Sequence, residues 1–479
     1  MKLLSLIKKS LTFYWRSNIG VLLAVVVGTA VLSGSLFVGD SVKNSLREMV
    51  IKRLGSTELA LMTGERFFTN ELAERLADKL EAKTAPVLQV RGMVANSDGT
   101  SRANRVEMLG VDARFYEVIS ANNPFPEGEG SGVVINESLA KRIGVKVGDE
   151  VLVRIAKPAL MSREIVLTPE SDLSIAFRLK VTAVADQLQS GLFSLQANQI
   201  SLLNAFVPLQ WLQEKLGRHS QANMLLVGSD QEAEIGTKKA NEAVKECLQL
   251  VDMGLEIRSD AKRDSLELRS NRIFIDSRIG DVAIESGKEA VGVLTYFVNR
   301  LRAVGKSTPY SMVTAMSGSD DKNSIVPMDM GDDEIIINQW LSDDLDVRAG
   351  DFIEVDYFVI SSGRTLTENT AKFRVRAVVP LEGLAGDPDL MPDFPGLAEM
   401  DNCRDWEPGI PIDLDKIRDK DQEYWDSFGG TPKAFITLKA GQKIWANRYG
   451  NLTAVRYPLN ENSREKLRKN ILSRIDPAV

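Results

Sequence analysis

Residues 133–153 read VVINESLAKRIGVKVGDEVLV, and residues 335–355 read IIINQWLSDDLDVRAGDFIEV. At a constant offset of 202, Ile135, Asn136, Leu139, Val145, Gly148, Asp149 and Val153 meet Ile337, Asn338, Leu341, Val347, Gly350, Asp351 and Val355. The local physics is the same in both places. An apolar run predicts a strand that ends at the Asn, and the Asn caps a short helix whose Leu and Ile/Leu face inward. A Gly-Asp turn then leads into an alternating strand. A period this long marks a duplicated domain, since solenoid units repeat every 20–50 residues or so.

The likeness extends outward. FRLKVTAV from Phe177 resembles FRVRAVV from Phe373, and AFVPL from Ala205 resembles AFITL from Ala434. Each copy is predicted to end in a strand and a helix: Met224–Val227 and about Ala233–Leu248, then Leu452–Val455 and about Ser463–Ile475. Ahead of the first copy come a strand, Thr57–Met62, a helix with Leu72, Leu76 and Leu80 on one face, and a hairpin turning at Asp98-Gly99. The fold class is therefore α+β, a duplicated domain of small mixed sheets and packing helices. The second copy differs by an insertion at 382–426, which holds fourteen acids against four bases.

The N-terminal stretch has another character. Ile19 to Val38, IGVLLAVVVGTAVLSGSLFV, is twenty residues without a charge. As a helix it reaches about 30 Å, the thickness of a bilayer's hydrocarbon core. A cleaved signal peptide has a shorter apolar core and an A-x-A-like site, neither of which is seen here. Lys2, Lys8, Lys9 and Arg16 precede the run and no acid does, so the positive-inside rule puts the N-terminus in the cytoplasm and the remainder outside. Residues 1–18 mix these cations with Leu4, Ile7, Leu11, Tyr14 and Trp15, as an amphipathic segment at the membrane surface does. Past Asp40 an apolar stripe of Val42, Leu46, Met49, Val50 and Leu54 predicts a stalk helix that stops at Gly55. The expected divisions are 1–18, the cytoplasmic segment; 19–38, the transmembrane helix; 39–55, the stalk; 56–260, the first extracytoplasmic module; and 261–479, the second. One helix cannot enclose a polar path through lipid.

Composition excludes several chemistries. A net charge of −7 argues against a nucleic-acid binder, which needs a basic face. One histidine, His219, and two cysteines, Cys247 and Cys403, leave no Cys/His zinc cluster, and the cysteines form either one bridge or two free thiols. His219 sits in GRHSQAN, read as a solvated loop rather than a catalytic base. VGKST at Val304–Thr308 lacks the first glycine of a phosphate-binding loop, whose place is taken by Arg300, and it reads as a hairpin turn. Asp387, Asp389 and Asp393 are weak candidate cation ligands, because D-x-D-x-x-x-D departs from the calcium-loop pattern. Docking to a basic partner is a second reading of that acidic stretch. Trp406, Trp425 and Trp445 are expected to pack the insertion onto its own domain rather than to form a recognition patch. No nucleophile–base constellation is visible, and neither cofactor nor catalytic residue is expected.

Taken together, the basic segment SLIKKSLTFYWRSN, the helix IGVLLAVVVGTAVLSGSLFVGDSV and the unit INESLAKRIGVKVGDEVLV followed by FRLKVTAV resemble the FtsX-like permease family of bacterial ABC transporters, with its MacB-like periplasmic core domain. The second copy looks like that of a long permease variant with an enlarged external region. The resemblance implies a non-enzymatic permease component in the bacterial cytoplasmic (inner) membrane, working as a homodimer or as a heterodimer with another permease chain. A separate ATPase subunit is implied at the cytoplasmic face, its motion passed through the stalks toward export or an external partner. Family members have four or more membrane helices, whereas this sequence shows one and ends at NILSRIDPAV. Either it is the N-terminal portion of a longer permease, or other helices sit on another polypeptide. The alternative is a membrane-anchored binding or scaffold protein without an ATPase. An anchored hydrolase is a third reading.

Overall fold

The computed structural model describes residues 3–125, 132–157, 174–186, 189–196, 202–228, 235–260, 264–319, 324–360, 366–394, 396–398, 400–406, 412–447, 449–459 and 462–476. It begins with two helices, α1 (Leu3–Phe13) and α2 (Trp15–Leu54), that meet at Tyr14. The apolar run and the expected stalk lie on one uninterrupted rod of 40 residues, about 60 Å long at 1.5 Å per residue.

The first sheet-based unit follows in chain order as β1 (Thr57–Met62), β2 (Phe68–Thr69), α3 (Asn70–Leu80), β3 (Lys83–Asn96), β4 (Arg102–Val111), α4 (Ala113–Ile119), β5 (Gly132–Asn136), α5 (Glu137–Ile143), β6 (Glu150–Ala156), β7 (Ser174–Ala185), β8 (Asn204–Pro208), α6 (Leu209–Lys215), β9 (Gln221–Ala222), β10 (Met224–Gly228) and α7 (Thr237–Cys247). The second runs β11 (Leu255–Asp260), β12 (Ser265–Ser270), α8 (Ser277–Ser286), β13 (Val291–Ala303), β14 (Lys306–Met316), β15 (Glu334–Asn338), α9 (Gln339–Leu345), β16 (Phe352–Ile360), β17 (Leu366–Val379), α10 (Asp419–Phe428), β18 (Ala434–Thr437), α11 (Leu438–Trp445), β19 (Ala454–Pro458) and α12 (Arg464–Arg474).

The two sheets have one topology. The first is ordered β1-β10-β3-β4-β8-β5-β7-β6, and the second β11-β12-β19-β13-β14-β18-β15-β17-β16. In each, the strand at the far end returns to pair with the long third or fourth one, β6 with β3 and β16 with β13. Six strands thus close into a ring of mixed pairings, and the remainder trail from it as a tail. β3 can serve both because it is fourteen residues long. Residues 83–87 pair with β10, Leu88 to Ala95 with β4 across a bulge at Gly92/Met93, and Gly92 to Asn96 with β6. The sheets therefore have eight and nine strands, larger than the small ones expected, because long strands join ring to tail.

The repeated sequence unit builds the far side of each ring. Asn136 ends β5, and its Oδ1 accepts the Leu139 N–H at 3.0 Å, capping α5. Its Nδ2 donates to the carbonyls of Gly191 and Leu202 at 2.9 and 2.8 Å. Asn338 caps α9 through Leu341 N at 2.8 Å, and its Nδ2 donates to the Tyr424 hydroxyl at 3.0 Å. Both side chains are enclosed, at 1% and 0% exposure, so each asparagine fastens a helix start to a distant loop. Gly148 and Gly350 sit at φ +96° and +99°, where a Cβ is strained, and their N–H groups donate to Val181 O and Val375 O. The next aspartates, Asp149 and Asp351, accept from Lys146 N and Arg348 N at 2.8 Å.

Two element positions differ from expectation. β19 begins at Ala454, two residues past Leu452, because Leu452 makes an isolated bridge with Ile275 instead. β11 pairs along its length with β12 in the second sheet, so that sheet reaches back to Leu255, before the expected division at 260/261. Nothing local to Leu255–Asp260 announces which sheet it joins.

Candidate functional site

Membrane helix, stalk and inter-module seam lie along one line of chain. Ile19 and Val38 both stand exposed on α2, at 43% and 65%, as do the leucines and valines between them. Further along, Val42 and Leu46 are exposed, while Val50 and Leu54 are half-buried. The Met49 side chain lies outside the described residues. Among the described residues none covers the upper part of the stalk stripe, Val42 and Leu46.

The foot of the rod is tightly seated. Arg53 is buried there. Gly55 caps α2 at φ +58°, and a Cβ on it would stand 2.2 Å from the Ile119 carbonyl oxygen. Only glycine permits that approach of the rod to the end of α4. The Ser56 hydroxyl donates to the Ser120 hydroxyl at 2.8 Å, and β1 then enters the sheet beside β10. The rod thus ends on α4 and the tail of the first module with no flexible linker between.

A seam joins the two modules. Arg66 pairs with Asp276 at 3.0 Å. The Thr69 hydroxyl and the Arg75 guanidinium both donate to Asp252, whose side chain is fully enclosed. Arg75 also donates to the Cys247 carbonyl at 3.0 Å. These contacts hold α3 to the end of α7 and to the turn at 250–253, the piece of chain that connects the copies.

The acidic insertion lies folded against its own module. Asp387 is fully buried and accepts from Arg456 Nη2 at 2.9 Å, while Arg456 Nε donates to Glu267 at 2.8 Å. Asp389 donates its backbone N–H to Asp387 and its carbonyl accepts from Arg269, while Asp393 is exposed. Among the described residues no group of three or more His, Cys, Asp or Glu side chains could hold a metal ion. Phe394, Leu397, Cys403, Trp406 and Ile417 complete the core of the second ring, and Trp406 meets Trp425 edge-on at 4.9 Å. Trp445 stacks on Tyr296 at 5.2 Å. Lys433 is enclosed with its Nζ 4.1 Å from the Trp340 ring centre, 4.7 Å from that of Tyr424 and 3.7 Å from Asp421. Burial pushes its ammonium down to about 8, against the pull of Asp421.

The remaining chemistry-bearing residues are dispersed. Cys247 and Cys403 are both free thiols. Burial raises both, Cys403 to about 12, so neither is a thiolate at neutral pH. His219 is exposed in the turn after α6. VGKST forms the β13–β14 hairpin, with Val304 and Gly305 at its tip.

A rod long and apolar enough to cross a membrane feeds two copies of one ring-closed module. Residues 19–242, most of the rod and of the first module, match the model of the MacB-like periplasmic core domain. Similar solved structures include the extracellular domain of the noncanonic ABC-type transporter YknZ from Gram-positive bacteria, at 11% identity over 38% of this chain and 80% of that one, TM-score 0.25. The periplasmic region of MacB from Actinobacillus actinomycetemcomitans aligns at 15% identity over 41% and 84%, TM-score 0.27. A permease-protein domain from Porphyromonas gingivalis aligns at 13% over 40% and 70%, TM-score 0.24. No curated protein matches the chain.

Proposed function

We propose that the chain is the membrane-anchored permease component of an ABC transporter complex. Its external modules pass the motion of a separate cytoplasmic ATPase to export or to an external partner. The observation that carries this reading is the continuous rod from Trp15 to Leu54, seated on α4 through Gly55. A displacement of its membrane part reaches the first module without a joint to absorb it. In this reading Ile19 and Val38 mark the ends of the span, residues 1–18 lie at the cytoplasmic surface, and the two sheet-based modules, the second beginning at β11 rather than at 261, are the working units. The uncovered upper part of the stripe, Val42 and Leu46, meets the stalk of a second permease chain, its twin or a different one. The component itself is non-enzymatic and binds no cofactor; Asp387, Asp389 and Asp393 brace the insertion.

The test uses the complex copurified from membranes. Cysteines replace Val42 or Leu46 in a chain whose Cys247 and Cys403 have been changed to serine. Stalk crosslinking is then compared with and without nucleotide on the ATPase. A nucleotide-dependent change in yield is expected. Unchanged yield in a complex that still hydrolyses ATP refutes coupling through the rod. If no ATPase copurifies, the reading as an anchored binding or scaffold protein takes its place.

A further inference from the structure

The largest cavity among the described residues, about 560 Å³, lies in the seam between the two modules. An apolar cavity of roughly 150 Å³ stays dry and takes up benzene, and small-molecule sites span about 300–1,000 Å³. The depth of this one is apolar. Phe68 and Leu72 of the first module and Leu255, Phe274 and Ile275 of the second line it, each no more than 4% exposed. Phe67 and Leu248 extend the first module's wall, and Ile279, Val282 and Tyr449 the second's.

The charges on the lining cancel, since four are acids and four are arginines. Most stand at the rim: Glu65, Arg66, Arg278, Arg474 and Asp476 are exposed. Arg66 pairs with Asp276 at 3.0 Å, and Arg474 with Glu285 at 3.6 Å. Burial lowers the Arg272 guanidinium and Arg66 adds to that, while Glu65 and Asp276 oppose it. The one deep carboxylate, Asp252, is held by Thr69, Arg75 and the N–H of Gln249. The Thr63 hydroxyl donates to the Arg66 carbonyl, and the Ser270 hydroxyl accepts the Arg272 N–H. These polar groups are thus engaged within the protein, and the rim favours neither an anion nor a cation. A charged ligand would lose its hydration against the apolar floor with nothing to offset the cost. An uncharged apolar one gains by leaving water.

We propose that the inter-module cavity is a binding site for a neutral, apolar small molecule. Its walls belong to different modules, so the bound molecule bridges them and stabilises their contact.

The test uses the full chain in nanodiscs and needs no ATPase, so its outcome is separate from that of the coupling experiment. The rings of Phe67, Phe68, Phe274 and Tyr449 line the cavity, so the probe is aromatic. N-phenyl-1-naphthylamine is uncharged at neutral pH and fluoresces in apolar surroundings; empty nanodiscs give the non-saturable uptake by lipid, which is subtracted. The competitors share one ring system and differ in charge: 1-naphthylmethanol, 1-naphthoate and 1-naphthylmethylammonium. Saturable binding is expected, with displacement by the alcohol and both ions at least tenfold weaker. Ile279→Trp and Leu248→Trp fill the cavity from different modules, and each should weaken the probe at least tenfold. Absence of saturable binding overturns the proposal. So does an ion that competes within tenfold of the alcohol, or a folded variant that binds the probe within tenfold of the unaltered chain. Far-ultraviolet circular dichroism and the melting temperature show which variants are folded, and the folded ones decide.

Discussion

Replacing Arg456 by methionine should loosen the acidic insertion while leaving the first module intact. Arg456 is 3% exposed and bridges two enclosed carboxylates, Asp387 at 2.9 Å and Glu267 at 2.8 Å. Glu267 keeps Arg269 when Arg456 is gone, whereas Asp387 loses its hydrogen bond to the Arg456 guanidinium at a site with no solvent access. Breaking a buried pair from one side costs about 3–5 kcal/mol, because the stranded charge stays desolvated. The first leg of the insertion is otherwise held by Ala385 and Leu390 against Val291, Val293, Phe435 and Ala454, so the loss falls on local opening. At about 1.4 kcal/mol per tenfold, cleavage that depends on opening should accelerate by roughly 150- to 5,000-fold. The assay is limited proteolysis of the full chain in nanodiscs, following cuts between residues 382 and 426 by mass spectrometry. Lys439→Ala is the control. Its ion pair with Asp332 is as short, at 3.0 Å, but the lysine is 85% exposed; the expected cost is below about 1 kcal/mol. Acceleration of less than threefold in the Arg456 variant, or equal effects in both, would refute the claim that burial gives this pair its weight.

Val27→Arg places a charge near the middle of the apolar run, which should raise the insertion free energy by about 3 kcal/mol; alkaline extraction of membranes should then release markedly more protein than with Val27→Leu. Lys433 yields a pH dependence. Its ammonium titrates near 8 in the folded protein, below the ordinary lysine value of 10.5. Between those values the unfolded chain binds more protons than the folded one, so stability rises with pH across that window, by at most about 3 kcal/mol. Proteolysis of the insertion should slow from pH 8 to pH 10 relative to Lys433→Met, and parallel profiles would contradict the assignment.

The parts legible from sequence were those whose cause is local. Asn136 and Asn338 recur because a strand-to-helix junction needs a cap, and Gly148 and Gly350 because the turn needs positive φ. The apolar run is read from twenty consecutive residues. The parts missed depend on distant partners. Ring closure joins Gly92 to Ile155 and Arg300 to Asp356, pairings that no short window encodes. Asp387 reads as a solvated acid until Arg456, far along the chain, is seen beside it. The inter-module cavity draws its lining from Leu61 to Asp476, so nothing in a stretch of sequence points to it.

Closing six strands on themselves has a consequence for life at a crowded surface. Among the described residues, only β1 and β11 of the two large sheets retain a side with no neighbour, and each is six residues long. Adventitious strand addition, the usual start of aggregation in β-rich proteins, is thereby confined to two short lips, one of them rooted beside the foot of the apolar rod.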